Sequence, residues 1–375
     1  MTVPAFHETR PFTQPGTDRA MFWWLVVVAA FVCAMILVGG ATRLTDSGLS
    51  ITEWRPVTGA VPPLTTDGWE AELEKYRRIP EYQEQNRGMS MAEFQFIYWW
   101  EWGHRQLGRT LGLVFAVPFA IFLFRRRVPA RLKPRLWILF GLGGLQGAIG
   151  WWMVSSGLAD RLDVSQYRLA THLVMAFIIL GVTLWTALEL RYGAARIGSS
   201  ARVFRWTAAL WAGVLLQVAL GAFVAGLDAG RIFTTWPLME GRLIPDGYLS
   251  SLPLWQAAFE SRPAVQLHHR WFAYLLTAAA LALAVRLRRQ DDIALQRLAV
   301  VMAITILAQV ALGVATLMAA APLWLSLIHQ AGAIALFLVA GITAWAAARA
   351  GHSGATTARE TTSRATSFTR ESPAS

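Results

Sequence analysis

Apolar residues occur in eight long runs along this chain, and more polar segments separate the runs. A helix that crosses a bilayer needs about 20 predominantly apolar residues, so each run predicts one transmembrane helix. The predicted helices, numbered 1 to 8, span 22–42, 94–124, 134–155, 166–190, 203–226, 263–286, 297–319 and 322–348. The hydropathy pattern therefore predicts an all-α integral membrane protein.

Basic residues indicate how these helices are oriented. Arginine is concentrated between helices 2 and 3, 4 and 5, and 6 and 7, where Arg125, Arg191 and Arg286 begin the basic stretches. By the positive-inside rule these connections are cytoplasmic, and so are both termini. We expect 1–21 to be a cytoplasmic segment and 349–375, which is rich in Ser, Thr and Arg, to be a disordered cytoplasmic tail.

Two long loops lie on the opposite, outer side, at 43–93 and 227–262. Loops of this length in a compact domain usually have a function or pack as lids. The chain also contains an internal repeat. Residues 101–105 open helix 2 much as 266–270 open helix 6, and the pattern of Gln146 and Gly150 in helix 3 recurs at 309–313 in helix 7. We predict two pseudo-symmetric four-helix bundles, 22–190 and 191–348, although matches of Gly and Ala are common in membrane helices.

Composition narrows the class of protein. The 375 residues are 55% hydrophobic and 15% charged, which is too apolar for an ordinary soluble enzyme. The net charge of +11 lies largely in short connections between helices, so it indicates membrane orientation and lipid contact, and we expect no binding of nucleic acid. Cys33 is the only cysteine, which excludes an intramolecular disulfide and a cysteine-based metal cluster. Any metal chemistry must therefore use histidine or carboxylate ligands.

Four of the seven histidines lie near the starts of the even-numbered helices, and they are His104, His172, His269 and His329. Even-numbered helices start on the outer side, so all four fall at similar depth in the outer half of the membrane. Each predicted bundle contains two of them. Imidazoles at equal depth on two helices of one bundle can ligate a haem iron from both faces. The pattern predicts two haems.

The residue four positions after each histidine is small; the four are Gly108, Ala176, Ala273 and Ala333. These residues lie one turn further on the same helix face and leave room for a flat macrocycle, but close helix packing explains them equally well. A single histidine could also serve as an interhelical hydrogen-bond donor. Copper or zinc is a further alternative, although no two of the histidines have helical ligand spacing and the Cys and Met ligands of copper sites are missing.

Charged residues beside the histidines suggest different tasks for the two halves. Glu101 precedes His104 by three residues, and in the second half we assign His268, which is not a carboxylate, to the corresponding place. This difference suggests a reactive site in the first half and an electron-transfer haem in the second, while an ion pair with Arg105 is the alternative for Glu101. Arg105 and Arg270 each follow a histidine and suit haem propionates, or they extend to the membrane interface.

These residues resemble the haem A synthase family, in its proteobacterial and mitochondrial branch. The resemblance rests on Glu101-x-x-His104-Arg105, on His172 within 168–172, on His269-Arg270 and His329-Gln330, and on residues 39–50 followed by Trp54. It covers about 20–350 of the chain. It implies a bacterial inner-membrane enzyme that oxidises the C8 methyl group of haem O to a formyl group, giving haem A for cytochrome oxidase.

The resemblance also implies roles for the site residues. His269 and His329 are the axial ligands of a cofactor haem b, His104 and His172 flank the substrate haem O, and Glu101 is the catalytic carboxylate. Expected partners are haem O synthase, cytochrome oxidase assembly factors, and a second copy of the chain. The chain departs from some family members because it has no cysteine pair in the outer loops, which excludes a disulfide relay there.

His268 is a second departure, since another polar residue is usual in the family at this position. It leaves open which neighbour is the ligand, and we choose His269 because it immediately precedes the arginine of the motif.

Two other functions remain compatible with the helices and histidines. A di-haem b-type cytochrome that transfers electrons from quinol would use the same ligand geometry, and only Glu101 and the resemblance in the outer loop argue against it. A transporter built from repeats is disfavoured because such repeats commonly contain broken helices near the midplane. Here the polar residues gather at one surface.

Overall fold

The computed structural model describes residues 17–159, 161–194, 201–248 and 253–350, and its regular structure is helical. Within these ranges eight helices are long and apolar enough to cross a membrane, which confirms the predicted fold class. Their bounds are α1 Thr17–Leu44, α4 Met91–Phe124, α5 Lys133–Val154, α6 Gln166–Tyr192, α7 Ala201–Gly226, α9 Arg262–Arg288, α10 Ile293–Met318 and α11 Leu323–Ala350. The protein is a multi-pass membrane protein.

Two predicted boundaries are wrong by several residues. Helix α1 begins at Thr17, inside the segment predicted as cytoplasmic, and α10 begins at Ile293, four residues before the predicted start at 297. Hydropathy marks the hydrocarbon core, whereas a helix often continues for a turn into the polar interface. Residues 1–16 and 351–375, which carry the predictions for the two termini, lie outside the described residues.

The membrane helices pack in a pattern that occurs twice. In the N-terminal half (17–194), α1 contacts α4 and α6, and α5 contacts the same two helices. In the C-terminal half (201–350), α7 contacts α9 and α11, and α10 contacts the same two helices. Helices α6 and α11 contact each other across the halves, α6 also contacts α7, and α11 contacts α1. The same set of helix contacts thus occurs in both halves, and the division into two pseudo-symmetric bundles stays a prediction.

The large apolar core fills the inner part of both halves. It includes Leu25 of α1, Phe119 of α4, Leu180 of α6, Met302 of α10 and Ala347 of α11, all distant from the outer ends of their helices. The histidines are not part of this core. The histidines therefore lie outside the apolar core, toward the outer ends of the helices.

The first outer loop is a packed cap. It contains α2 (Thr66–Tyr76) and α3 (Pro80–Glu84), and its buried side chains Leu49, Tyr76 and Ile79 pack with Phe94 at the start of α4. The hydropathy pattern does not predict these short helices because they are too polar and too short to cross a membrane. We call residues 45–90 the outer cap. The second outer loop contains a further short helix, α8 (Leu254–Glu260).

One arginine joins the outer ends of the two halves. Arg43, near the end of α1, forms ion pairs with Asp46 at 2.8 Å, with Asp228 at 3.0 Å and with Asp163 at 3.4 Å. Asp46 and Asp228 both adopt a left-handed backbone conformation, with φ of 49° and 50°. Each stands two residues after the end of a membrane helix, α1 and α7 respectively. The repeat therefore extends from the helices into the loops.

A buried carboxyl group makes the outer cap sensitive to pH. Glu81 is 4% exposed and accepts a hydrogen bond from the Tyr76 hydroxyl at 3.0 Å. Burial raises the pKa of Glu81 to about 8, whereas an unfolded chain titrates near about 4.3. Because the folded state retains a proton that the unfolded state releases, stability is lost as the pH rises through this window.

We therefore expect Glu81→Gln to raise the melting temperature at pH 9 and to leave it nearly unchanged at pH 4, since a neutral amide still accepts from Tyr76. Thermal unfolding of the detergent-solubilised protein measures this. Glu84→Gln, at an exposed position of the same short helix, is the control and should be neutral at both pH values. A stabilisation by Glu81→Gln that does not depend on pH would contradict the prediction.

Candidate functional site

Each of the four membrane histidines lies against a glycine on the membrane helix that precedes it. A Cβ atom at that glycine would approach the Cε1 atom of the imidazole to 3.1 Å or less. The distances are 2.8 Å for Gly39 and His104, 3.0 Å for Gly150 and His172, 3.1 Å for Gly221 and His269, and 3.0 Å for Gly313 and His329. A larger residue would displace the ring, so the backbone of the neighbouring helix fixes where each imidazole stands.

These contacts place the four histidines at similar distances from the ends of the neighbouring helices. Each glycine lies within five residues of the outer end of its helix; the four ends are Leu44, Val154, Gly226 and Met318. In the N-terminal half these contacts hold His104 of α4 and His172 of α6, and in the C-terminal half they hold His269 of α9 and His329 of α11. Each half thus contains the two histidines that the sequence assigns to it, and their pairing around a haem stays a prediction.

The two nitrogens of the imidazole rings differ in their surroundings. The Nδ1 atoms of His104, His172 and His329 are buried and make no hydrogen bond, although each residue as a whole is partly exposed. The nitrogen available to a ligand is therefore Nε2. The small residues one turn further, Gly108 among them, are also only partly buried. A haem held between the two imidazoles of a pair fits this set of donors.

Other metal sites fit less well. Among the residues that the structure describes, no three His, Cys, Asp or Glu side chains come together in a way that could hold a metal ion. Zinc and copper sites usually need three or four protein ligands. Isolated imidazole pairs suit a metal that brings further ligands of its own, as a porphyrin-bound iron does.

The neighbour of His269 has a different partner. The Nε2 atom of His268 lies 2.9 Å from the hydroxyl of Tyr248, in the second outer loop, and the two rings meet edge to face. The ring of His269, in contrast, lies against Gly221. The choice of His269 as the ligand stays a prediction.

Glu101 is fully engaged by neighbouring donors. It is 3% exposed, and one of its oxygens accepts from the Ser50 hydroxyl at 2.8 Å and from the backbone N–H of Ile51 at 2.7 Å. The other oxygen accepts from Arg105 at 2.6 Å. The ion pair considered as an alternative is therefore present, and the carboxylate anchors the beginning of the outer cap. Its catalytic role stays a prediction.

Arg105 and Arg270 hold the outer loops through backbone carbonyls. Arg105 donates to the carbonyls of Ile51 at 2.7 Å and Glu53 at 3.0 Å. Arg270 makes the equivalent pair of hydrogen bonds in the second loop, to the carbonyl of Phe233 at 2.7 Å and to that of Thr235 at 2.9 Å. Neither guanidinium simply extends to the interface. The binding of propionates by these arginines stays a prediction, and the Nε atom of Arg270 is buried without a partner.

The residue of the C-terminal half that corresponds to Glu101 differs from the one expected from the sequence. Its counterpart is Gln266, three residues before His269, and not His268 as expected. Gln266 is buried and donates to the carbonyl of Phe233 at 3.1 Å. Glu101 and Gln266 correspond because each lies three residues before a predicted haem ligand on the same helix face. The C-terminal half therefore has a neutral amide where the N-terminal half has a carboxylate.

Comparison with known proteins shows the family to which this chain belongs. Residues 22–340 match the COX15-CtaA family, described as cytochrome oxidase assembly protein. The chain belongs to this family. Among relatives named Heme A synthase, the protein of Maricaulis maris is 55% identical over 340 residues, which are 91% of this chain and 99% of the relative. That of Parvibaculum lavamentivorans is 49% identical, with 88% and 94% covered, and that of Paracoccus denitrificans is 46% identical, with 89% and 93% covered.

Membership of the COX15-CtaA family favours a haem A synthase over the di-haem cytochrome and the transporter. The matched segment begins in α1 and ends in α11, so it includes both histidine pairs, Glu101 and both outer loops. The sequence patterns did not predict the glycine contacts or a role for Gln217. A Gln-x-x-x-Gly spacing that occurs in α5, α7 and α10 is the signal that would have found them.

The glycine contacts predict a sharp difference between two neighbouring positions of α5. We expect Gly150→Ala to weaken haem binding by His172 about tenfold, the lower end of what reorienting a metal ligand costs. Gly147→Ala is the matched control, because a Cβ atom there meets nothing within 4 Å. Titration of the purified variants with haem, followed by absorbance, measures the affinity. Equal losses in the two variants would contradict the prediction.

Proposed function

We propose that the chain is a haem A synthase that oxidises the C8 methyl group of haem O to a formyl group, through successive hydroxylations, and so supplies haem A for cytochrome oxidase. The observation that carries the proposal is the pair of repeated histidine sites at equal depth, of which only the first has a buried carboxylate, Glu101, on the helix of one of its histidines. The names of the relatives support the same function.

The two halves have different tasks in this proposal. His104 and His172 flank the substrate haem O in the N-terminal half, and His269 and His329 hold a haem b in the C-terminal half. Haem b, when bound, supplies reversible electron transfer. The protein supplies the geometry, because each glycine contact sets the position of one imidazole.

Glu101 supplies a fixed charge beside the substrate. Its carboxylate is held by Ser50, Ile51 and Arg105, so it does not need to reorganise when positive charge develops at the methyl carbon. It can stabilise that charge or accept a proton from the methyl carbon. The outer cap, which packs on α4, covers this end of the N-terminal half.

The location and partners follow from the same proposal. The protein lies in the bacterial inner membrane with both termini in the cytoplasm, because the basic connections flank the inner ends of the helices. It receives haem O from haem O synthase and passes haem A to cytochrome oxidase assembly factors, and it contacts membrane lipid and a second copy of itself.

Expression in a host that makes haem O but no haem A tests the function. We expect the haems extracted from the purified protein and the membranes to contain haem b and haem A by mass analysis. Haem b without any haem A would instead identify a di-haem cytochrome. Protein that carries no haem would indicate a transporter, and either result would overturn the proposal.

A further inference from the structure

Three glutamines lie one helical turn before the glycines that contact the histidines. The Nε2 atom of Gln146 donates to the backbone carbonyl of His172 at 3.0 Å. Gln309 donates to the carbonyl of His329 at 3.0 Å, and Gln217 donates to the carbonyl of His269 at the same distance. Each amide therefore bonds the main chain of a predicted iron ligand from a neighbouring helix.

Unpaired atoms surround these amides. The Oε1 atoms of Gln146, Gln217 and Gln309 are buried and make no hydrogen bond in the described structure. The Nδ1 atoms of His172 and His329 are buried without a partner as well. A buried polar group without a partner costs roughly 1–3 kcal/mol, so unpaired groups on both the amide and the ring of one contact indicate an interaction still to be made.

The C-terminal half shows that one amide can reach both groups. Nε2 of Gln217 lies 3.0 Å from the carbonyl of His269, 3.0 Å from Nδ1 of its ring and 3.3 Å from Nε2 of its ring. An imidazole that binds a metal through Nε2 carries its hydrogen on Nδ1, and this N–H almost always finds an acceptor such as a carbonyl. The Oε1 atom of the same amide is an acceptor that is buried and has no partner.

We propose that Gln146, Gln217 and Gln309 are positioning residues for the haem ligands. Each uses Nε2 to hold the carbonyl of its histidine and Oε1 to accept a hydrogen bond from Nδ1–H once Nε2 of the ring binds haem iron. We call this arrangement the amide clamp. It rests on the proposed function, because it requires haem at both histidine pairs.

The fourth histidine has no amide clamp. Met35 stands one turn before Gly39, at the position of Gln217 in the repeat, and its methyl group would lie 3.5 Å from a Cβ atom at Gly108. The Nδ1 atom of His104 is buried without a partner, and a thioether is only a weak acceptor. The imidazole of His104 is therefore the least electron-rich of the four ligands.

This exception falls on the pair that flanks the substrate. Both ligands of the resident haem, His269 and His329, have an amide clamp, whereas the substrate pair has one on His172 and none on His104. A weaker ligand suits a site that must release its haem after oxidation. The asymmetry of the clamps thus matches a retained haem in one half and an exchanged haem in the other.

Variants of Gln309 test the clamp at the resident haem. We expect Gln309→Leu to lose haem b to excess apomyoglobin about 10–100-fold faster than wild type and to raise its midpoint potential, because the imidazole donates less charge to the iron. Gln309→Glu keeps an acceptor for Nδ1–H and should retain the haem with a lowered midpoint potential. Redox titration of the purified protein measures both shifts.

Met35→Gln is the complementary variant, since it adds an amide beside His104. We expect it to slow the release of the haem from the N-terminal half about tenfold, without changing the midpoint potential of haem b. Midpoint potentials equal to wild type in both Gln309 variants would overturn the clamp and leave the glutamines as helix anchors. Wild-type protein that binds no haem would instead overturn the proposed function.

Discussion

Replacing His269 or His329 by alanine will remove the resident haem b and with it all formation of haem A, whereas replacing His104 or His172 will abolish haem A but leave haem b bound. Alanine provides no ligand, and the glycine opposite each ring provides none either. Changes in the groups that merely orient a metal ligand lower the metal affinity about 10–100-fold. Loss of the ligand itself should therefore lower the affinity for haem more than about a hundredfold.

The absorbance of the pyridine complex of extracted haem measures the haem b content, and mass analysis measures haem A. His268→Ala is the matched control, because the ring of His268 is bonded to Tyr248 and not directed at Gly221. It should retain both the resident haem and the activity. If all four alanine variants lost haem b equally, the division of tasks between the two halves would be wrong.

Glu101→Ala will retain haem b and accumulate haem O or its hydroxylated intermediate. Removal of a positioned acid or base typically costs about 10²–10⁴-fold in rate, which would reduce haem A below detection in a growing culture. The ratio of haem A to haem O in extracted membranes measures the effect. Normal output of haem A from this variant would exclude Glu101 from the mechanism.

A second role of Glu101 has to be separated from this one. Its carboxylate also anchors the outer cap through Ser50 and Arg105, so loosening of the cap could by itself reduce activity. Ser50→Ala removes one anchor and keeps the carboxylate. We expect Ser50→Ala to retain most of the activity while limited proteolysis of the cap becomes faster. Equal losses of haem A in Ser50→Ala and Glu101→Ala would assign the carboxylate to anchoring alone.

The sequence predicts the membrane helices and the four histidines because both signals are local. An apolar run of sufficient length has few alternatives to a membrane helix, and a histidine at a fixed distance from the start of that helix has a defined depth. The outer cap is different. Short helices such as α2 and α3 are stable only through the contacts they make, and Tyr76 and Phe94 are far apart in sequence.

The immediate partners of the site residues also depend on distant parts of the chain. Whether Arg105 binds a propionate, the interface or the carbonyl of Ile51 depends on how the outer loop folds back, and no spacing in the sequence specifies that path. The role of Gln217 depends on which face of α7 meets α9. The repeated Gln-x-x-x-Gly spacing marks such positions, but only the contact with His269 shows what the spacing serves.

The repeated packing of four membrane helices in each half has a consequence for electron flow. A half with an even number of spans returns the chain to its starting side, so the predicted topology places both histidine pairs near the same water compartment. In the proposed function, charge that passes from one pair to the other would move parallel to the bilayer. Moving one charge across the whole membrane changes its free energy by about 2.3 kcal/mol for each 100 mV of membrane potential. A charge that moves parallel to the membrane passes through almost none of that potential. Transfer between the sites should proceed at the same rate in energised and uncoupled cells.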